Sequence, residues 1–254
     1  MSPEKLQLPT DFKPDAAQLV GRRILITGAS RGLGQAIAIA CAAAGADTIL
    51  LARDVRALEA TADAIVAAGH REPKLLPLNL EAAGVEHYAE VRDLLLAQCG
   101  ALHGLVLNAG MLGELSAFAN LEPTTWARVF QVNVHANFLL LQAFLPLLQA
   151  AERATVLAVS SGVGRRGRAY WGAYAASKFA LEGMVEVLAD EWRDNPGLAI
   201  NSVNPGRCRT RMRAAAYPAE DVDTLPLPAA LAPGFVYLLS DAASGFNGRQ
   251  FDLQ

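Results

Sequence analysis

Tyr174 and Lys178 stand four residues apart in the run SSGVGRRGRAYWGAYAASKFA, residues 160–180. On a helix that spacing puts both side chains on one face. A phenol with its ordinary pKa of about 10 is a poor acid–base group near neutrality. A lysine ammonium within several ångströms favours the phenolate and lowers that value by roughly 1–3 units. Such a pair can protonate the oxyanion that develops when a hydride adds to a carbonyl, provided donors already point at that oxygen. The run also holds two serines, Ser160 and Ser161, and a second phenol, Tyr170, eight residues before the lysine in a glycine-flanked loop. Taken alone, a Tyr–Lys pair also suits an ordinary helix face, and a serine pair suits a strand end or cap. The choice rests on what the rest of the chain places opposite them.

The chain alternates strand-like and helix-like runs. RRILITGAS is β-rich and stops at Gly28; GLGQAIAIACAAAGA follows as a buried helix ended by Gly45. DTILLAR reads as a second strand, and Asp54 is the N-cap of the helix VRALEATADAIVAA. KLLPLNL, GLVLNAG, ATVLAVSS, LAINSVNPG and RQFDL supply further strands. Helices are expected at VEHYAEVRDLLLAQ and over residues 123–130, 132–149, 173–194 and 229–240. Nearly all-apolar strands alternating with helices require a parallel sheet covered on both faces. The expected fold is therefore α/β: one doubly wound, Rossmann-type domain over residues 21–254, preceded by an N-terminal arm over residues 1–20.

In such a sheet the ligand crevice lies at the carboxyl ends of the strands, where strand order reverses. Gly28 to Ser30 follow the first strand, Arg53 the second, Asn108 the fourth, Ser160 and Ser161 the fifth, and Asn204 to Gly206 the sixth. TGASRGLG puts Gly28, Gly32 and Gly34 between a strand and a helix. Glycines there allow a tight turn and let the backbone approach a pyrophosphate, which the helix N-terminus attracts. A site for an unphosphorylated ribose carries Asp or Glu at the end of the second strand, whereas a 2′-phosphate needs cations. Here LLAR ends in Arg53, and Arg31 sits inside the glycine turn. Two guanidinium groups can clamp that phosphate, unless both are only solvated surface residues. NADP(H) is the expected cofactor, with NAD(H) also accommodated.

The glycine spacing resembles the TGxxxGxG pattern of the short-chain dehydrogenase/reductase family, and the resemblance runs over nearly the whole chain. LNAG at residues 107–110 is similar to the family's NNAG, VNV at 132–134 holds its asparagine, Tyr174 and Lys178 match its YxxxK, and NPG at 204–206 matches its PG turn. Within the family the run through Tyr174 looks closest to the bacterial YciK-like oxidoreductases. The resemblance implies that Ser161, thirteen residues before Tyr174, polarises the carbonyl and that Tyr174 is the acid. It further implies that Lys178 also binds the nicotinamide ribose and that Asn133 holds a water linking Lys178 to solvent. Cofactor contacts are implied for Gly28, Ser30, Arg31, Gly32, Leu33, Gly34, Arg53, Asn79, Leu80, Asn108, Ala109, Gly110, Tyr174, Lys178, Pro205, Gly206 and Thr210. Asn79 departs from the family's usual aspartate, but an amide oxygen can still accept from the adenine amino group.

The remaining features bound the partners. A formal charge of −3 gives no reason to expect nucleic acid or a membrane surface. Cys41, Cys99 and Cys208 are scattered without a metal-binding pattern, as in a reduced cytoplasmic protein, and no metal site is expected. The charged, proline-punctuated start differs from a secretion signal. The apolar run 138–151 is short and interrupted by Gln142, Pro146 and Gln149, so no membrane span is expected. Arg165, Arg166 and Arg168 in one loop, with Arg207, Arg209, Arg211 and Arg213 in another, either attract an anionic or carrier-linked substrate or form a solvated rim. Residues 207–228 are the expected substrate loop, and Met111, Leu112, Trp171 and Met212 suit either a greasy pocket wall or core. The helices carrying residues 133–149 and 174–194 are apolar over much of their circumference, which suits a homodimer or homotetramer. The reading is an NADPH-dependent enzyme reducing a small-molecule carbonyl reversibly to an alcohol. The alternatives are a non-catalytic NADP-binding redox sensor or interaction module, and a dehydratase or epimerase on the same fold.

Overall fold

A computed structural model describes residues 5–7 and 12–254, with side chains from residue 12 onward. The strands are β1 (Lys5–Gln7), β2 (Arg23–Thr27), β3 (Asp47–Ala52), β4 (Lys74–Pro77), β5 (Gly104–Leu107), β6 (Ala154–Val159), β7 (Leu198–Asn204) and β8 (Gln250–Asp252). The helices are α1 (Gly32–Ala43), α2 (Val55–Ala67), α3 (Val85–Cys99), α4 (Pro123–Phe130), α5 (Ala136–Gln149), α6 (Gly172–Glu191), α7 (Arg211–Ala216) and α8 (Pro228–Leu239). All the strand pairs are parallel, in the order β1-β8-β7-β6-β5-β2-β3-β4. Of the expected N-terminal arm, residues 1–4 and 8–11 lie outside the described residues, while Lys5–Gln7 adds a short edge strand against β8.

Strand alternation divides the core in two. Ile24 and Ile26 of β2, Val106 of β5 and Leu157 of β6 pack with Ile37 of α1 and Phe235 of α8. The intervening residues Leu25, Leu105, Leu107 and Val156 pack on the other face with Phe144 of α5 and Leu181 of α6. Period-two alternation in strands that are apolar throughout produces these two layers. The order reverses at β2, which pairs with β3 on one side and β5 on the other. The carboxyl ends of β2 and β5 thus open the crevice expected at a switch point.

Two local features differ from the sequence expectation. Gln131–His135 forms a single π-helical turn between α4 and α5, so the second helix begins at Ala136 rather than at 132. α7, in the substrate-loop region, was not expected from the sequence; Thr210 is its N-cap and accepts from the Arg213 N–H at 3.2 Å. Asp54 caps α2 as expected, accepting from the Ala57 N–H at 3.2 Å. Residues 123–149 and 222–239 are long and apolar enough to cross a membrane by composition alone. Their apolar side chains Leu140, Phe144, Leu147, Phe235 and Val236 are packed into the two core layers.

Candidate active site

One cavity of about 820 Å³ runs along the carboxyl edge of the sheet. Every residue expected to hold the cofactor lines it: Gly28, Ser30, Arg31, Gly32, Leu33, Gly34, Arg53, Asn79, Leu80, Asn108, Ala109, Gly110, Tyr174, Lys178, Pro205, Gly206 and Thr210. Ser161 joins them, while Asn133 stands behind the wall, fully buried.

The glycine turn is built for close approach. Gly28 has φ +66°, a conformation that favours glycine, and a Cβ there would lie 3.0 Å from the Ala109 Cα. A Cβ on Gly34 would stand 2.3 Å from the Gly28 carbonyl oxygen and 2.5 Å from Asn108 Nδ2. Asn108 is itself a brace, donating to the Thr27 carbonyl at 2.9 Å. Thr27, which the sequence reading passed over, accepts on its hydroxyl from the N–H groups of both Asn108 and Ala109 at 2.9 Å. At the far wall Gly32 faces the Thr210 side chain, where a Cβ would meet the methyl at 3.5 Å. The turn after β7 is held by Gln254, whose Nε2 donates to the carbonyls of Pro205 at 2.8 Å and Arg207 at 2.6 Å. An open cradle at the start of α1, backbone turns too tight for side chains and a cavity of this volume together fit a dinucleotide.

Arg31 and Arg53 line the same end of the cavity as Asn79 and Leu80. Arg53 contacts the Glu81 carboxylate at 3.4 Å, and the other oxygen of Glu81 accepts from Arg128 Nε of α4 at 2.6 Å. Those two cations, Arg128 foremost through its hydrogen bond, hold the Glu81 carboxyl below its ordinary pKa. Asn79 Oδ1 accepts from the Glu81 N–H at 3.2 Å. Glu81 was not singled out from the sequence; its position two residues beyond Asn79 is the signal that could have found it.

At the opposite end Tyr174 is 8 % exposed and Lys178 3 % exposed. Lys178 Nζ lies 5.6 Å from the centre of the Tyr174 ring and donates to the Val159 carbonyl at 2.7 Å. Burial pushes the Tyr174 phenol up to about 12, and a hydrogen bond with Ser161 pulls it the other way. The expected lowering of the phenol by Lys178 is therefore not the dominant effect in the free protein, where desolvation wins. Burial also brings the Lys178 ammonium down to about 8, while the Glu182 carboxylate opposes that fall. Ser160 also lines the cavity and is buried, whereas Tyr170 is 64 % exposed with φ +72° and does not line it. Trp171 packs edge-on against Tyr174, ring centroids 5.9 Å apart.

Asn133 is fixed by three side-chain contacts from inside the π-helical turn. Its Oδ1 accepts from the Met111 N–H at 2.7 Å; its Nδ2 donates to the Met111 carbonyl and to the Ser177 hydroxyl, each at 2.9 Å. Ser177 donates in turn to the Tyr174 carbonyl at 2.7 Å. The Asn133 carbonyl accepts from Asn137 Nδ2 at 2.8 Å.

Four of the seven loop arginines have direct side-chain partners, and Arg207 acts on Glu220 at longer range. Arg165 is mostly covered, its side chain 9 % exposed, and pairs with Glu182 at 3.2 Å and Asp252 at 2.7 Å, so it is a partnered residue rather than a free rim cation. Arg209 pairs with Asp223, and Arg213 clasps Glu220 through two contacts of 2.5 and 2.6 Å. Arg168 hydrogen-bonds the Tyr217 hydroxyl, and the Tyr217 ring also carries the Arg213 guanidinium at 3.7 Å. Arg211 lines the cavity beside Met111, Leu112, Trp171 and Met212.

Residues 22–221 match the family model for short chain dehydrogenase. The oxidoreductase YciK of Escherichia coli K12 is 41 % identical over 243 residues, 96 % of each chain. A cyclohexanol dehydrogenase of Acinetobacter sp. SE19 is 32 % identical over 89 % of this chain and 91 % of its own. The crystal structure of a short chain dehydrogenase from Escherichia coli CFT073 complexed with NADPH superposes with a TM-score of 0.92 at 41 % identity, covering 95 % of this chain and 100 % of that one. With its parallel sheet, glycine cradle and Tyr174–Lys178 pair, this chain belongs to the short-chain dehydrogenase/reductase family, the oxidoreductases of alcohol–carbonyl pairs.

Proposed function

We propose that the protein is an NADPH-dependent reductase that converts a small-molecule carbonyl reversibly to an alcohol, with Tyr174 as general acid and base. The observation that carries this reading is the continuity of one cavity from the glycine cradle to Tyr174, Ser161 and Lys178. The relative solved with NADPH supports the cofactor, as does the placement of Arg31 and Arg53 at its adenine end. When bound, the cofactor supplies the hydride. Gly28, Gly32 and Gly34 let the backbone and the N-terminus of α1 hold its pyrophosphate, while Arg53 and Arg31 take the 2′-phosphate. Thr210 and Lys178 lie where they can orient the nicotinamide half.

Ser161 donates to the substrate oxygen, and Tyr174 transfers its proton there as negative charge develops. Lys178 stays charged beside the phenol and stabilises the resulting phenolate. Asn133, by fixing Met111, keeps the neighbouring Gly110 wall in place for solvent to reach Lys178. Trp171, Met111, Leu112 and Met212 favour a substrate with an apolar body; Arg211 leaves room for an anionic or carrier-linked one. The half-exposed Phe138 of α5 and Phe179 and Val187 of α6 support a homodimer or homotetramer formed through those helices. The setting is a soluble, cytoplasmic one.

The test is NADPH oxidation against a panel of 3-oxoacyl thioesters, diketones, quinones and cyclic ketones. Turnover abolished by Tyr174→Phe with NADPH binding retained, and little changed by Tyr170→Phe, is the expected result. Tight NADPH binding with no turnover on any carbonyl would favour the redox-sensor reading instead.

A further inference from the structure

Beneath the catalytic helix lies a closed polar network. Glu182 sits one helical turn past Lys178 on α6 and is 5 % exposed. Its Oε1 meets Arg165 Nε at 3.2 Å, and its Oε2 accepts from Gln250 Nε2 of β8 at 3.1 Å. Arg165, the residue that ends the turn begun at Ser161, also reaches Asp252 of β8 at 2.7 Å and the Phe251 carbonyl at 3.3 Å. Asp252 accepts in addition from Asn204 Nδ2 of β7 at 2.8 Å. A charged pair this little exposed is weak evidence of a stabilising role, since apolar side chains of similar volume often serve as well or better. Its place invites a functional account.

We propose that Glu182 is a positioning residue for the acid–base pair: held by Arg165 and Gln250, its carboxylate keeps Lys178 an ammonium and locks the Ser161 turn to α6. This inference rests on Tyr174 and Lys178 being the proton-transfer pair. The titratable and charged groups facing Lys178 are Tyr174 and Glu182 on its own helix; Arg165 from the turn after β6 is bound to Glu182, and Asp252 from β8 is bound to Arg165. The π-helical turn presents neutral Asn133, with His135 facing solvent, and Arg128 of α4 is engaged by Glu81. Glu182 is therefore the anion that offsets the burial of Lys178, in keeping with the direction of its effect on that group.

The chain has four lysines, Lys5, Lys13, Lys74 and Lys178, so protein labelled with [ε-13C]lysine gives few resonances. Lys178→Met assigns the relevant one without any substrate. Glu182→Gln is expected to lower the titration midpoint of Lys178 by about one pH unit or more, the scale of a lost neighbouring charge. It should move the alkaline fall of reductive turnover down by a similar amount. The triple variant Arg165→Met/Glu182→Met/Asp252→Asn, which removes both carboxylates that Arg165 pairs with along with Arg165 itself, should do the same and decides the question if Glu182→Gln does not fold. A Lys178 midpoint unchanged in the variant that folds overturns the proposal, whatever happens to the rate. Tyr174→Phe separates the two readings: turnover surviving there overturns the assignment of the acid, while the lysine titration still judges Glu182.

Discussion

The side chain of Asn133 closes on both backbone polar groups of Met111, accepting its N–H at 2.7 Å and donating to its carbonyl at 2.9 Å. An amide is the side chain that matches an N–H and a C=O of one residue at once. The contact fixes the chain just past Gly110, where a Cβ would lie 3.5 Å from Asn133 Oδ1 and 3.8 Å from Lys178 Nζ. Asn133→Ala strands these two part-buried groups and is expected to cost about 2–6 kcal/mol, at about 1–3 kcal/mol for each unsatisfied group. Reductive turnover should fall at least tenfold while NADPH affinity changes little. Urea denaturation and steady-state kinetics check both. An Asn133→Ala protein as stable and active as the parent would remove Asn133 from the site.

Asn133 also marks where the sequence was legible and where it was not. Strand boundaries followed from apolar runs ending in Gly28, Arg53, Asn108 and Ser160, because a parallel sheet buries both faces and leaves polar residues at the crevice. The glycine cradle was legible because Gly28 and Gly34 answer local backbone constraints. The π-helical turn was not, since residues 131–135 continue the helical periodicity and the partner that fixes them, Met111, is remote in sequence. Arg165 was read with its neighbours as a loop cation; its partners Glu182 and Asp252 arrive from α6 and β8, far along the chain. Glu81 stayed unnoticed for the same reason, as Arg53 and Arg128 meet it only in the folded protein.

Gly34→Ala is expected to abolish tight cofactor binding. The added methyl would stand 2.3 Å from the Gly28 carbonyl oxygen, inside any tolerable contact, and neither Gly28 nor the pinned Asn108 can retreat. The turn must open, and the N–H groups proposed to meet the pyrophosphate leave their places. Isothermal titration with NADPH should show affinity weakened by a factor on the order of 100 or more, the equivalent of about 3 kcal/mol. Near-parental affinity would mean that the cradle does not contact the cofactor.

Glu81 and Arg53 make opposite predictions for cofactor choice. Arg53 is largely exposed and shares Glu81 with Arg128, so the pair adds little to stability. A 2′-phosphate entering there competes with Glu81 for the Arg53 guanidinium. Glu81→Gln should tighten NADPH severalfold, an effect shrinking with added salt, and leave NADH alone. Arg53→Ala should weaken NADPH by about tenfold or more, also without touching NADH, as expected for loss of a charge-assisted contact. Equal changes for both cofactors would place the 2′-phosphate elsewhere.

Lys178 should make the native protein less stable than it could be. Its value falls from 10.5 to about 8 through burial. A folded-state value below the unfolded one means that the unfolded chain holds the extra proton between about pH 8 and 10.5. Native stability therefore rises across that window and bears the full cost of the buried ammonium below it. At about 1.4 kcal/mol per unit the cost is about 3 kcal/mol at pH 7. Lys178→Met is accordingly expected to be inactive and yet more stable than the parent at pH 7, with the two denaturation curves converging as the pH approaches 10. Glu182 keeps Arg165 and Gln250 in that variant, so the substitution leaves no new unpaired charge. Stabilities that stay parallel from pH 7 to 10 would show that Lys178 is as well solvated, and as fully charged, in the fold as out of it.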